Sequence, residues 1–278
     1  MSRGLENPFV MMTLLNKAFL PFALSWLCNT KYMDVHKHVL FLTTDTQTDA
    51  MLRHHWPDVT SVVLHGVDSK RNESYSQVGY VKLMVKRTIA ILSILEANTA
   101  VFLFEVDCLW KRNPLPFLQS QNLVDIVATK VSKEEFVVAG GFLYLFPTNS
   151  TKQLWGALTK RLLVLFDKIR FLSPETSVSE GDNDQQYLSI LIGKNYVGIR
   201  YKLLFDEEFP DGSWYNLTLA ERSAMNPYII NNNWLVGNYE KIERAQRWRH
   251  WFIRKDFTCD EQNIALNFQN LNSVDSIL

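Results

Sequence analysis

Residues 100–118 constrain the fold more than any other stretch of this chain. They read AVFLFEVDCLWKRNPLPFL. The uninterrupted apolar run at 101–104 is long enough only for a strand that is buried on both faces, as in a parallel sheet covered by helices. The strand is predicted to continue to 113–116, where two prolines end it because proline cannot donate to a ladder.

Two acidic residues, Glu105 and Asp107, follow the apolar run with one residue between them. Because side chains alternate along a strand, both are expected on the same side, about 7 Å apart along the backbone. Like charges there are costly unless a cation lies between them, and oxygen ligands suit Mg²⁺ or Mn²⁺. The pattern predicts a metal site at the carboxyl end of the strand, where open α/β sheets bind ligands. Alternatively, the acids only pair with Lys111 and Arg112 or cap a helix.

Predicted strands and helices alternate along the chain. The strands cover 9–15, 38–43, 61–64, 101–104, 125–129 and 142–146, the helices cover 18–29, 46–55, 80–97 and 148–167, and a polar loop covers 68–79. This alternation predicts an α/β fold with a mainly parallel, Rossmann-like central sheet flanked by helices. The residues after Cys259 are interpreted as a frayed tail.

Arg87 lies on the apolar side of the helix predicted at 80–97, away from the polar stripe that contains Lys82. An arginine on an apolar face needs a buried acceptor. It either pairs with a carboxylate at a strand end or reaches a ligand phosphate. Both alternatives bring it to Glu105 and Asp107.

Gly140 and Gly141 are predicted to open the strand at 142–146. Paired glycines at such a position either let a ligand or another backbone approach closely, or form a bulge or bend. The residues alone leave both alternatives open.

Asp184 and Gln185 fall in the first turn of a further predicted helix, whose N-cap is Asp182 or Asn183. They are therefore expected to point toward a cleft or toward solvent. A capping role is the structural explanation for part of this acidic segment.

A basic helix follows a strand, three asparagines at 231–233 and a loop with Gly237. Backbone N–H groups at the start of a helix, together with Lys241, form a suitable diphosphate site. The alternative is a basic helix face that only contacts solvent.

Composition excludes some classes of function. Lysine plus arginine and aspartate plus glutamate number 29 each, so the formal net charge is zero. That balance offers no electrostatic surface for nucleic acid or an anionic membrane. The three scattered cysteines give no disulfide framework and no zinc spacing. Glycosylation sequons permit a secretory lumen, and they begin at Asn72, Asn149 and Asn216.

The N-terminal region is not expected to cross a membrane. The span 8–28 is apolar, but Asn16 and Lys17 interrupt it and Pro21 follows, which favours a strand, a turn and a buried helix. No signal peptide is predicted before the fold.

Taken together, these motifs resemble the nucleotide-diphospho-sugar transferase family, which are GT-A-type glycosyltransferases with a DxD-like acid motif. The matching segments, in the family's order, are GYVKLMVKRTIAILSILEANTAVFLFEVDCLWKRNPLPFL, GGFLYLFPT, NDQQYLSILI and NNNWLVGNYEKIERAQRWRHWF. The resemblance implies one GT-A-like domain at 1–258 and a C-terminal tail at 259–278. It also implies a glycosyltransferase (hexosyl- or pentosyltransferase) that moves a sugar from a nucleotide-diphosphate donor, a UDP-sugar, to a hydroxyl of a glycan or glycoprotein, with Mn²⁺ or Mg²⁺.

The resemblance further assigns roles residue by residue. Glu105 and Asp107 would bind the metal and the nucleotide, with Asn231 as a third metal ligand. Asp184 and Gln185 would face the reacting sugar as catalytic residues. The donor would be bound by Asn16 near the base, Lys82 and Arg87 near the donor, Gly140 and Gly141 beside the sugar, and Gly237 and Lys241 at the diphosphate.

Two positions depart from the family's pattern. The family more usually has Asp at the position of Glu105 and often His at that of Asn231, so metal affinity is expected to be reduced. The alternative function is a catalytically weak nucleotide-sugar or glycan binder of the same fold. A phosphatase with Asp107 as nucleophile lacks the Thr or Ser pattern it needs. The resemblance implies the Golgi or secretory lumen, with the expected membrane anchor absent from this chain, so the chain is incomplete or held by another component.

Overall fold

The computed structural model describes residues 8–65, 76–131 and 136–269. The sequon at Asn72 and most of the loop predicted at 68–79 lie outside these ranges. The strands are β1 Phe9–Leu15, β2 Val39–Thr43, β3 Thr60–Val63, β4 Ala100–Leu103, β5 Leu109–Trp110, β6 Ile126–Lys130, β7 Val138–Leu145, β8 Tyr201–Leu203 and β9 Ile229–Ile230. The α-helices are α1 Leu20–Thr30, α2 Thr46–His55, α3 Val78–Glu96, α4 Leu115–Ser120, α5 Asn149–Ile169, α6 Asp184–Gly193, α7 Leu219–Ala224, α8 Asn238–Arg247 and α9 Glu261–Gln269.

Seven of the described strands form one sheet in the order β3-β2-β1-β4-β7-β6-β8. β7 is antiparallel to both β4 and β6, and the other neighbours are parallel. The prediction of an α/β fold with a mainly parallel central sheet flanked by helices is therefore confirmed. Because β1, β2 and β4 run in the same direction, their carboxyl ends meet at one edge of the sheet.

β4 is buried on both faces, as its apolar sequence predicts. Val101 and Leu103 pack in the core beneath α3 and α5. Phe102 and Phe104 pack on the opposite face with aromatic side chains that include Trp26 of α1. Side chains that alternate between two hydrophobic layers fix the register of the strand, because a slip of one residue would exchange the layers.

The apolar span 8–28 forms β1, a 3₁₀ turn at Lys17–Phe19 and most of α1. Pro21 lies in the first turn of α1, where its missing N–H has no helical partner to lose. In the described ranges, no helix has both the length and the apolar character that crossing a bilayer requires. The strand, turn and buried helix predicted for 8–28 are confirmed.

A disulfide joins Cys28 of α1 to Cys259, 231 residues away in sequence. The prediction that the cysteines give no disulfide framework is wrong. Spacing along the chain could not show the pair, because it is the fold that brings the two Cα atoms to 5.5 Å. The interpretation of a frayed tail is also wrong for 261–269, which form α9 with Ile264 in the core. A domain boundary at 258 stays a prediction.

Replacing both Cys28 and Cys259 with Ala is expected to lower the free energy of unfolding by about 2–5 kcal/mol, because the cross-link closes a long loop in the unfolded chain. Urea denaturation of the oxidised protein measures the change. Cys108→Ala is the matched control, since Cys108 is buried and unbridged. Wild-type stability that is unchanged by reductant would contradict a stabilising bridge.

Candidate active site

Glu105 and Asp107 lie in the segment between β4 and β5. β4 ends at Leu103, and the chain turns at Val106 and Asp107. The prediction that one strand continues through both acids is wrong, because β5 pairs with β9 in a separate two-stranded sheet. The turn nevertheless brings the ligand atoms of Glu105, Asp107 and Cys108 within 4.8 Å of one another. The two carboxylates are therefore closer than an extended strand would place them.

Gly141 makes room for the side chain of Glu105. The antiparallel register of β4 and β7, extended by two pairs, places these two residues opposite each other. A Cβ built at Gly141 would lie 2.2 Å from Oε1 of Glu105, and one at Gly140 would lie 3.1 Å from Cβ of Gln185. Both glycines lie within β7 and do not open the strand, so that prediction is wrong. Of the two predicted alternatives, close approach explains both glycines, and the groups that approach them are the side chains of Glu105 and Gln185.

Replacing Gly141 with Ala is expected to weaken divalent-cation binding about tenfold or more, because the new methyl group overlaps the carboxylate of Glu105. Calorimetric titration with Mn²⁺ measures the affinity. Gly156→Ala in α5 is the matched control, since a Cβ there meets no atom within 4 Å. Equal Mn²⁺ affinity in the two variants would contradict a ligand role for Glu105.

Asp107 is paired with Lys241 of α8. Nζ of Lys241 donates to Oδ2 of Asp107 at 2.6 Å, so this lysine faces the acid pair and not solvent. Burial opposes the charge of Lys241, but the charge and hydrogen bond of Asp107 outweigh it and raise the pKa of Lys241. Desolvation by the surrounding protein, followed by the charge of Asp107, raises the pKa of Glu105. One lysine therefore leaves the acid pair only partly neutralised, which favours binding of a further cation.

The donor atoms around Glu105 fit a hard divalent cation. Asn231 donates through Nδ2 to Oε2 of Glu105 at 3.4 Å, while its buried Oδ1 has no hydrogen-bond partner in the described part of the chain. Burial, then the charge of Asp107, raises the pKa of the Cys108 thiol well above its usual value, so it stays a protonated, poor ligand. Two carboxylates and one amide oxygen remain, and oxygen ligands are those that Mg²⁺ and Mn²⁺ prefer.

Two cavities meet at Glu105. The first, here called the α3 cavity, encloses about 200 Å³. Its lining includes five residues of the predicted site: Asn16, Arg87, Glu105, Asp107 and Lys241. The second, here called the β7 cavity, encloses about 170 Å³. It is lined in part by Glu105, Gly141, Gln185 and Asn231. The carboxylate of Glu105 thus lies on the wall between two spaces that could each take part of a ligand.

Arg87 connects α3 to the start of α6. Its Nη2 donates to Oδ2 of Asp184 at 2.5 Å and to the carbonyl oxygen of Gly140 at 3.1 Å. Of the two predicted alternatives the structure has a carboxylate pair, but the partner is Asp184 and not an acid that follows β4. Nε of Arg87 and Oδ1 of Asp184 are buried without a partner among the described residues. Nε of Arg87 can therefore donate a hydrogen bond to a ligand or water, and Oδ1 of Asp184 can accept one.

Asn183 is the N-cap of α6, because its Oδ1 accepts from the backbone N–H of Gln186 at 2.9 Å. This resolves the predicted choice of cap and leaves Asp184 in the first turn. Gln185 accepts through Oε1 from the backbone N–H of Gly140 at 3.0 Å. The start of α6 is thereby fixed against β7 at the edge of the site.

Three predicted donor-binding residues line neither cavity: Lys82, Gly140 and Gly237. Lys82 donates through Nζ to the carbonyl oxygens of Arg170 at 3.1 Å and Leu172 at 3.3 Å, just after α5. Its side chain leaves α3 on a face that borders neither cavity, and a role for Lys82 near the donor stays a prediction. Gly237, with a φ of +94°, is the N-cap of α8 and lines neither cavity. A backbone conformation with that positive φ explains the glycine at this position, since few other residues adopt it.

Part of the wall of the α3 cavity was not predicted from the sequence. Tyr80, Leu83 and Met84 line it together with Arg87. These four share one helix face by the 3.6-residue period, so the periodicity that places Arg87 at the site places the other three there as well. Thr44 also lines it, and it follows β2 at the edge where Asn16 follows β1.

Comparison with known proteins gives consistent results. Residues 34–245 match the family of nucleotide-diphospho-sugar transferases. A UDP-D-xylose:L-fucose alpha-1,3-D-xylosyltransferase of Arabidopsis thaliana is 24% identical over an alignment of 267 residues that covers 89% of this chain and 72% of that protein. A UDP-galactose:fucoside alpha-3-galactosyltransferase of Dictyostelium discoideum is 25% identical over an alignment of 225 residues that covers 74% of this chain but 33% of that protein.

Solved structures share the fold at low sequence identity. The glycosyltransferase GlyE of Streptococcus pneumoniae aligns over 98% of this chain and 67% of its own with a TM-score of 0.51 and 15% identity. An active-site mutant of LgtC aligns over 86% of this chain and 96% of its own with a TM-score of 0.50 and 8% identity. The fold is thus that of the GT-A glycosyltransferases. Because the family match covers most of its length, the chain belongs to the nucleotide-diphospho-sugar transferase family.

Proposed function

We propose that this protein transfers a sugar from a UDP-sugar to a hydroxyl group of a glycan or glycoprotein acceptor, and that the reaction depends on a divalent cation. The relatives that it resembles are nucleotide-sugar glycosyltransferases. The observation that carries the proposal is the position of Glu105. Its carboxylate borders both the α3 cavity and the β7 cavity, beside Asp107 and the orphaned oxygen of Asn231. A cation held there would lie between a nucleotide and a sugar.

The α3 cavity would hold the nucleotide diphosphate. Lys241, which stays protonated, would neutralise the negative charge that grows on the diphosphate as the sugar leaves. Asn16 lies at the carboxyl end of β1 in the same wall and would contact the nucleotide. Bound through Glu105, Asp107 and Asn231, Mn²⁺ or Mg²⁺ would supply Lewis-acid stabilisation of the leaving group.

The start of α6 would position the reacting sugar. Arg87 fixes one carboxylate oxygen of Asp184, and the second is buried without a partner among the described residues and would accept from a sugar hydroxyl. Asp184 itself lines neither cavity. Gln185 lines the β7 cavity beside Gly141. Asp184 and Gln185 would therefore hold the sugar in the orientation that transfer requires.

The disulfide between Cys28 and Cys259 bears on where the protein works. Disulfides persist in oxidising compartments and are rare in the cytosol. Together with the exposed sequon residues Asn149 and Asn216, the bridge supports the Golgi or another secretory lumen as the place of action.

A donor screen tests the proposal. UDP release with Mn²⁺ is measured for UDP-xylose and UDP-galactose, the donors in the relatives' names, with fucosides as acceptors. We expect UDP release that depends on both acceptor and cation, and one donor that raises the melting temperature. Donor binding without transfer or hydrolysis would contradict an enzyme and would indicate the catalytically weak binder.

A further inference from the structure

A third and larger cavity lies beside another face of α8. It encloses about 970 Å³ and is here called the arginine cavity. Its basic lining residues are Lys111, Arg222, Arg244, Arg247 and Arg249. Two acidic residues, Glu240 and Glu243, also line it. The cavity therefore has an excess of positive charge in a chain whose formal net charge is zero.

Most of these cations are not matched by a carboxylate. In the described ranges, Arg247 pairs with Glu243 at 3.2 Å, but Arg244 bonds to Asn232 and Asn233. Lys111 is partly buried, and that burial lowers its pKa with no opposing charge from any described acid. A desolvated ammonium without a counter-charge is costly, so the cavity favours an anionic occupant.

Aromatic rings share the walls with the cations. Trp234 is 57% exposed, and Trp248 and Tyr215 form part of the same lining. The apolar C–H face of a sugar ring packs well on an indole, while guanidinium groups bind carboxylate or sulfate oxygens. The combination suits a charged sugar better than an acidic peptide, which has no such face to place on Trp234.

The arginine cavity adjoins the β7 cavity through a shared wall. Asp211 and Asn233 line the β7 cavity, while their neighbours Gly212 and Trp234 line the arginine cavity. Nε1 of Trp234 donates to Oδ2 of Asp211 at 2.7 Å, and the backbone N–H of Gly212 donates to Oδ1 of Asn233 at 2.6 Å. An oligosaccharide that ends in the β7 cavity could therefore continue over Trp234 into the arginine cavity.

We propose that the arginine cavity binds the extended part of an anionic oligosaccharide acceptor, whose carboxylate or sulfate groups contact its unmatched cations. This inference rests on the proposed function, because it places the reacting end of the same acceptor in the β7 cavity. It adds the chemical class of the acceptor, which the nucleotide-sugar site does not determine.

Calorimetry with three oligosaccharides of equal length tests the proposal. The probes are a uronic-acid oligosaccharide, its carboxyl-reduced neutral form and a sulfated form. At least one anionic probe is expected to bind about tenfold or more tightly than the neutral one. The probe that binds more tightly shows whether the cavity prefers carboxylate or sulfate groups. Arg222→Ala with Arg249→Ala is expected to remove this preference, and Lys111→Met is expected to weaken it. Lys160→Ala with Lys168→Ala, on the exposed face of α5, is the matched control that leaves the preference unchanged.

Three outcomes would overturn the assignment: equal affinity for neutral and anionic probes, full binding by the arginine variants, or equally tight binding of a polyglutamate peptide. Donor turnover is measured on the same samples. If no UDP-sugar is turned over while the anionic probe still binds through the arginines, the proposed transfer fails and the cavity assignment stands. If turnover is normal and the probes bind equally, only the cavity assignment fails.

Discussion

Replacing Glu105 with Gln and Asp107 with Asn together is expected to lower kcat/KM for sugar transfer on the order of 10³-fold. The amides keep the shape of both side chains but remove both charges, so the cation site and the partner of Lys241 are lost. UDP release across a range of Mn²⁺ concentrations measures the effect. The loss should not be reversed by added Mn²⁺.

The matched control removes the same two charges from the surface. Glu96→Gln with Asp167→Asn changes exposed residues at the ends of α3 and α5, and transfer should be unaffected. If the double variant at Glu105 and Asp107 retains wild-type turnover, the metal role assigned to these acids is refuted.

Replacing Arg87 with Met is expected to lower the free energy of unfolding by about 3–5 kcal/mol, because it leaves the buried carboxylate of Asp184 without its partner. The double variant Arg87→Met with Asp184→Asn should regain part of this stability, since the unpaired charge is gone. Transfer should stay strongly reduced in both variants, because the oxygen that positions the sugar is displaced or neutralised. Urea denaturation and steady-state kinetics measure the two effects separately.

Arg170→Met provides the comparison for an exposed ion pair. Arg170 and Asp167 are 3.7 Å apart with side chains more than half exposed, so the change should be less than about 1 kcal/mol. An Arg87→Met variant that is no less stable than Arg170→Met would contradict a buried pair at the start of α6. Recovery of full transfer by the double variant would contradict a positioning role for Asp184.

Local pattern was sufficient to predict the sheet and the helix face that borders the site. The apolar run of β4 predicted a strand with two buried faces, and the helical period singled out Arg87 as a buried cation. Neither argument could identify the partner of Arg87, since Asp184 is 97 residues away and the contact depends on how α6 packs. Periodicity restricts a residue to a face, but tertiary packing decides what that face meets.

The errors arose where tertiary contacts override local pattern. The strand predicted to run through Glu105 and Asp107 ends at Leu103, because β5 pairs with β9 in a separate sheet. β9 begins 119 residues after β5 ends, so local sequence could not show this pairing. The bridge from Cys28 to Cys259 has the same cause. The role of Lys82, which the resemblance alone implied, stays a prediction, since its side chain bonds to the carbonyl oxygens that follow α5.

The binding of UDP with and without Mn²⁺ tests the central claim most directly. Calorimetry is run on the wild type and on Glu105→Gln with Asp107→Asn. The wild type is expected to bind UDP about tenfold or more tightly when Mn²⁺ is present, and the variant is expected to show no such gain. Wild-type affinity for UDP that is the same in Mn²⁺ and in EDTA would contradict the claim that these acids hold a cation for the diphosphate.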